Sequence, residues 1–434
     1  MNFIGNPLKK ILKIKLVSDS FKVLVLRFLG VLLLFGITLF LTNNYNANTV
    51  GQYDFIRTFL LVFGSLCLVG TDQSILYFSG ILKSTKTIYK LKSVYYKILK
   101  IIFLTSATII IIVVLFGKSR INGFFTNHNT YQNVLKASLV LFFYCLTTLN
   151  TEVIRAINKV IISEIIKNVL KHVPFIIGII ILFYSKKEHL LIDVYLVSFL
   201  ILGIITTIFL LFKLRTFKHD SVDNIKTKEI IQKSFPIAIS GVAIFLLMSI
   251  DIFFLKKYKG DADVAYYSVA LKLMLMLSII INTININASS KIAEFYSDKN
   301  FIELNKLLKN SSRLIFFMSL PIILILLIFS TKILSFFGEE YIFSNKALII
   351  MVICQGICTL FGSNGVYLNM TGRQKIFQYI LISSVIINYF FNSILIPQYG
   401  MVGAAISFSI SLLWWNVVAT LYIYKKDNVK IFLR

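Results

Sequence analysis

The chain has 434 residues, 57% of them hydrophobic, with a mean hydropathy of +0.82. A soluble protein of that length would expose too much apolar surface, which leaves an all-α polytopic membrane protein as the class. Lys and Arg total 45 against 19 Asp and Glu; these charges sit in short segments between apolar runs, which fits cytoplasmic loops and not a nucleic-acid surface.

Twelve apolar stretches have the length a bilayer requires, roughly 22–41, 56–79, 98–117, 134–151, 170–184, 190–212, 234–255, 264–290, 312–330, 344–362, 376–396 and 401–424. The first follows a basic start with no A-x-A cleavage site, so it reads as a membrane helix and not a removable signal. Basic residues gather in alternate loops: Lys83, Lys86, Lys90, Lys92 and Lys97 after the second span, Arg155, Lys159, Lys167 and Lys171 after the fourth, and Lys425, Lys426, Lys430 and Arg434 at the end. The intervening loops are poor in Lys and Arg, as in NNYNANTVGQYDF after span 1. The positive-inside bias therefore puts both termini in the cytoplasm.

The polar, basic stretch KLRTFKHDSVDNIKTKEIIQK divides the chain into an N-terminal six-helix lobe (1–215), a cytoplasmic connector (216–233) and a C-terminal six-helix lobe (234–434). A faint repeat supports the division: Val50-Gly-Gln-Tyr53 resembles Val264-Ala-Tyr-Tyr267, 214 residues later. Six plus six spans in the same orientation imply a parallel repeat about an axis along the membrane normal.

Cys67, Cys145, Cys354 and Cys358 all lie in apolar runs without a ligand cluster, so they read as packing residues, with no metal or disulfide expected. No P-loop, His-Glu-x-x-His or paired-carboxylate motif occurs, so neither a cofactor nor a catalytic residue is expected.

Ionisable groups inside spans cost a few kcal/mol at least unless they face water or a partner, which makes each a candidate. They are Arg27, Arg57, Asp72, Lys136, Asp251 and Lys272. Arg27, Arg57 and Lys136 lie near span ends and can snorkel; Asp72 can meet the basic loop that follows it. Lys272 lies deeper, and it either pairs with Asp251 of the preceding span or meets a substrate. Shifting Arg57 by 214 gives 271, so each half places a cation at similar depth, facing the other across a cavity. With cations outnumbering anions in the spans, an anionic head group is the expected substrate. Asn282 and Asn285 put amides into the inner half of span 8, towards a water-facing wall. Asn388 and Asn392, four apart on one helix face, either line the cavity or bond a neighbouring helix.

The most specific stretches are Gly372-Arg-Gln-Lys-Ile followed by INYFFNSILIPQYGMVGAAISFSISLLWW, and SFPIAISGVAIFLLMSIDIFFLKKYKGDADVAYYSVALKL in span 7. Together with TVGQYDF they resemble the polysaccharide-exporter family, the O-antigen and capsule repeat-unit flippases of the multidrug/oligosaccharidyl-lipid/polysaccharide exporter superfamily. One departure is Ala265-Tyr-Tyr where Gly-x-Tyr is expected. The resemblance spans nearly the whole chain. It implies a twelve-helix, two-lobed exporter with a central cavity, in the bacterial inner membrane, moving undecaprenyl-pyrophosphate-linked oligosaccharide outward. Its partners would be that lipid-linked oligosaccharide, the membrane and other polysaccharide-assembly proteins, with no nucleic acid. The runner-up is a multidrug and toxin exporter of the same superfamily, which calls for a more acidic cavity. A membrane-embedded polysaccharide polymerase would need a long outer loop, and the sequence has none.

The alternating loops predict that a cysteine at Asn46 labels with a membrane-impermeant maleimide from outside the cell, and one at Lys86 only after permeabilisation; the reverse pattern would invert the topology.

Overall fold

A computed structural model describes residues 6–85, 87–125, 130–215 and 225–432, with side chains from Lys22 onward. Lys86, most of the connector (216–224) and the side chains of the N-terminal lysines lie outside the described residues. The described residues are helical, with no strand. The first half holds α1 (Asn6–Asn44), α2 (Ala47–Leu68), α3 (Thr71–Ser84), α4 (Leu91–Phe125), α5 (Thr130–Ala156), α6 (Val160–Asn168), α7 (Val173–Ser185) and α8 (Leu191–Leu214). The second holds α9 (Thr227–Leu247), α10 (Ile250–Tyr258), α11 (Asp261–Ser297), α12 (Phe301–Ile328), α13 (Ser330–Ser335), α14 (Asn345–Thr359), α15 (Asn364–Met370) and α16 (Gln374–Asp427).

The protein is a multi-pass membrane protein. Among the described residues ten helices are long and apolar enough to cross a bilayer, or eleven if the bent pair α2–α3 counts as one span. The 54 residues of α16 would be about 80 Å long if straight, against a hydrocarbon core of ~30 Å. A break at Gly400 (φ 55°, ψ −129°) divides it into two pieces of spanning length, which brings the total to twelve. Helices are what an apolar solvent demands, because lipid offers no partner for a free N–H or C=O. Large apolar side chains such as Leu115, Phe212 and Ile328 accordingly stand exposed.

Several boundaries differ from the sequence reading. The expected outer loop after span 1 is mostly helix: α1 ends at Asn44 and α2 begins at Ala47. The fifth span runs from Val160 to Ser185, bent where Leu170–His172 forms a tight turn and Pro174 opens α7. The expected loop PQYG is helical up to Gly400, with Pro397 inside the helix. In each case the helix absorbs polar residues that hydropathy assigns to a loop.

The halves repeat far more closely than their sequences suggest. α1 and α10 end at Asn44 and Tyr258, α2 and α11 begin at Ala47 and Asp261, α5 and α15 end at Ala156 and Met370, and α6 and α16 begin at Val160 and Gln374. Each pair is 214 residues apart. Left-handed backbone recurs at the same interval, at Asn158 and Gly372 and at Lys186 and Gly400. So does a buried hydrogen bond: the Asn150 amide donates to Thr206 Oγ1 at 3.1 Å, and the Asn364 amide to Thr420 Oγ1 at 2.8 Å.

By packing, the chain divides into two compact units, and the division runs through α2, α4, α5 and α9 and beside the end of α1. One unit comprises Met1–Asn44, Phe63–Leu115 and Gln132–Ala238; the other comprises Tyr45–Val62, Phe116–Tyr131 and Ile239–Arg434. The reason is local. At Gly51 the α2 backbone lies so close to α11 that a Cβ would come within 1.7 Å of the Asp261 carbonyl oxygen. Phe55 packs edge-on against Phe125 and Phe253 in the same unit. In the first unit α1 crosses α6 at Gly30, where a Cβ would meet Asn168 at 2.8 Å. The four cysteines are free and buried.

The Gly372-Arg373 turn is a structural joint of the second unit. Arg373 pairs with Asp427 and donates to the Tyr296 hydroxyl at 3.0 Å, while Tyr367 donates to Asp427 at 2.7 Å. Beyond Asp427 a left-handed Asn428 turns the chain inward. Val429 and Ile431 are buried in one cluster with Leu304, Leu308 and Ile423. Ser312 Oγ donates to the Ile431 carbonyl, and the Lys430 N–H donates to Asn305 Oδ1 at 3.3 Å.

Two glycines give opposite expectations. Gly51→Ala forces backbone against backbone and should destabilise the protein by about 3 kcal/mol. Gly36→Ala, an exposed helical position with nothing within 4 Å of the added Cβ, should stabilise it by up to about 1 kcal/mol. Thermal unfolding of both variants in detergent checks the pair.

Candidate functional site

The candidate site lies in the second unit, where α2 and α11 run side by side. Lys272 sits about three turns into α11 and is almost wholly buried. Its ammonium donates to both oxygens of Asp54, at 2.7 and 3.0 Å. Asp54 is 1% exposed. One turn further along α2, Arg57 Nη1 lies 3.9 Å from Asp54 Oδ1, with its side chain 30% exposed. Two cations thus lie beside the Asp54 carboxylate, in a place where charge is expensive.

The pairing of Lys272 with Asp251 that the sequence leaves open does not occur. Asp251, in the first turn of α10, accepts from the Tyr267 hydroxyl at 2.8 Å and from the Asn392 amide at 2.6 Å. Tyr267 and Lys272 are five residues apart on α11, about 140° around the helix, so one faces α10 and the other α2. Asn392 also donates to Asn388 Oδ1 at 2.9 Å. Asp251, Tyr267, Asn388 and Asn392 are all fully buried. Among the described residues, Asp251 has no cationic partner, and Asn388 Nδ2 and Asn392 Oδ1 are buried without a hydrogen-bond partner. Of the two readings open for these asparagines, Asn392 takes the bond to a neighbouring helix.

The other sequence candidates are not drawn into these clusters. Asn282 is exposed and Asn285 half-buried on the later turns of α11. Arg57 and Lys272 belong to one unit, so the 214-residue offset does not put them on opposite units. Arg27 lies in the first unit and makes a two-pronged bond to Glu164 of α6, at 3.1 and 2.9 Å. Asp72 is half-buried in the first turn of α3, at the positive end of the helix dipole. Lys136 pairs with Asp193 at 2.6 Å.

Sequence reasoning missed four acids. Asp54 was hidden in the presumed outer loop, and Glu164 in the presumed loop after span 4. Glu152 meets Lys167 at 2.9 Å and Arg155 at 3.6 Å. Asp261 pairs with the buried Lys256 and accepts from Gln52 at 3.2 Å. The i,i+3 spacing of Asp54 and Arg57 was the available signal. Among the described residues no three His, Cys, Asp or Glu converge as a metal site.

Comparison with known proteins follows the same lines. Residues 236–394 match the MatE family profile. A capsular polysaccharide biosynthesis protein of Staphylococcus aureus, CapF, is 25% identical over 46% of this chain. The chain spans about half the length of that curated relative. Among solved structures, the lipid II flippase MurJ in an inward closed conformation matches with a TM-score of 0.74, at 17% identity over 94% of this chain and 87% of that one. The MATE multidrug transporter DinF-BH matches with a TM-score of 0.70, at 15% identity over 100% of this chain and 99% of its own. The fold is therefore that of these transporters and flippases.

If Asp54 is the true partner, Lys272→Ala leaves a buried carboxylate uncompensated and should destabilise the protein by about 3–5 kcal/mol. Adding Asp54→Asn should restore most of that loss, and adding Asp251→Asn should not. Thermal unfolding of the three variants in detergent distinguishes the two partners.

Proposed function

We propose that the protein is a flippase, not an enzyme, that carries undecaprenyl-pyrophosphate-linked oligosaccharide repeat units of O-antigen, capsule or exopolysaccharide across the bacterial cytoplasmic membrane, with both termini in the cytoplasm. The observation that carries this reading is the buried Lys272 and the half-buried Arg57 placed together beside Asp54. Two cations brought to one place suit a pyrophosphate, whose oxygens take charge-assisted hydrogen bonds from Lys and Arg. The likeness to CapF and to a lipid II flippase supports the same class of cargo. Transport would proceed by alternating access, with the six-helix lobes 1–215 and 234–434 rocking about the cargo. The head group would pass through the interior while the polyprenyl chain stays in lipid. Asn282 and Asn285 of α11 would line the polar path, and Asp251 with Asn388 and Asn392 would couple transport to an ion gradient.

Asp251 also favours a second reading. A buried acid without a cationic partner is what a multidrug exporter would use to take up a proton, a metal cation or a cationic drug, and MATE transporters share the fold.

Deleting the gene separates the two. The flippase reading expects lipid-linked repeat units to accumulate on the cytoplasmic face, surface polymer to be lost, and drug sensitivity to stay near normal. Intact surface polymer with raised sensitivity to cationic drugs would establish the exporter instead.

A further inference from the structure

The carboxylate of Asp54 is more than a structural neighbour of Lys272. Both of its oxygens are taken up by the Lys272 ammonium. Arg57 stands further off, at 3.9 Å, and keeps part of its side chain exposed. An incoming anion can therefore meet Arg57 first and reach Lys272 only by replacing Asp54.

The internal repeat indicates that the fold does not need a charge pair here. Asp54 corresponds to Ser268 in the second half, and Lys272 corresponds to Thr58 in the first, each 214 residues away and each buried. The chain thus packs a small neutral residue at both equivalent positions. A buried ion pair also contributes little net stability once desolvation is counted, since well-packed apolar replacements are often neutral or better. The position is mechanically significant as well. Asp54 lies one turn from Gly51, where α2 touches the α11 backbone, and Gln52 bonds to Asp261 at the start of α11. The Asp54–Lys272 pair extends that contact inward along both helices.

We infer that Asp54 is a resident counter-ion: it holds Lys272 in place of the anionic group of the cargo, gives way to that group when the cargo arrives, and thereby loosens α2 from α11. The inference rests on the reading of Lys272 and Arg57 as the cations that receive an anionic head. It adds that the empty carrier supplies Lys272 with its own counter-ion. It also makes the affinity for an anion a competition, in which the cargo must displace an internal carboxylate.

The test uses the full-length protein in lipid nanodiscs, with inorganic pyrophosphate as the probe and calorimetry as the readout. Asp54→Asn should bind pyrophosphate about tenfold more tightly than the native protein, and Lys272→Ala about tenfold more weakly. If Lys272→Ala weakens binding while a monodisperse Asp54→Asn binds no more tightly, the cation site stands and the counter-ion role is overturned. If Lys272→Ala binds as the native protein does, the cation site fails and the inference with it. The native protein supplies a check that does not depend on any variant folding. Pyrophosphate should speed hydrogen–deuterium exchange of the amides in residues 47–62, because displacement of Asp54 frees α2. Unchanged or slower exchange there would overturn the role.

Discussion

Inside an apolar bundle every polar group must be satisfied by the chain itself, because lipid offers neither hydrogen bonds nor counter-ions. Most of the specific geometry follows from that constraint. Asn150 and Asn364 each tie one helix to another, Arg27 takes both oxygens of Glu164, Lys256 takes Asp261, and Lys272 takes Asp54. Two buried atoms beside Asp251 fall short of that constraint: Asn388 Nδ2 and Asn392 Oδ1 have no hydrogen-bond partner, and such atoms cost desolvation.

The 214-residue register separates what the fold needs from what the chemistry adds. Helix ends, left-handed turns and the Asn–Thr bonds recur in both halves, so they belong to the scaffold. The polar clusters do not recur. Asp251, Asn388 and Asn392 of the second half correspond to Ile37, Pro174 and Gly178 of the first. The repeat is thus alike in its backbone and unlike in its charges: the Asp251 cluster belongs to the second half, whereas Asp54 and Arg57 come from the first and meet Lys272 of the second.

Hydropathy sufficed to read the class and the twelve spans, because a bilayer imposes length and apolarity on every crossing; the repeat interval came from the likeness of Val50–Tyr53 to Val264–Tyr267. Hydropathy also picked out Lys272, Arg57, Asp251, Asn388 and Asn392 as residues out of place in lipid. It did not find their partners. Asp54 sits among NNYNANTVGQYDF, a run polar enough to read as loop, yet it is buried in α2 because that helix starts nine residues earlier than its apolar stretch. Glu164 was missed for the same reason, in a short amphipathic helix ahead of Pro174. Partner identity depends on the angle between residues around a helix and on which helices touch. Tyr267 and Lys272 illustrate this: neighbours in sequence, they face different helices and serve different carboxylates.

The inward turn after Asp427 has a practical consequence for anyone handling the protein. Val429 and Ile431 are part of the packed interior, and Ser312 holds the backbone at Ile431. A reporter or affinity tag joined within a residue or two of that point would pull on Leu304 and Leu308 and on the Arg373–Asp427 joint beside them. A flexible spacer, long enough to leave the packed segment undisturbed, separates the effect of the tag from that of the chain.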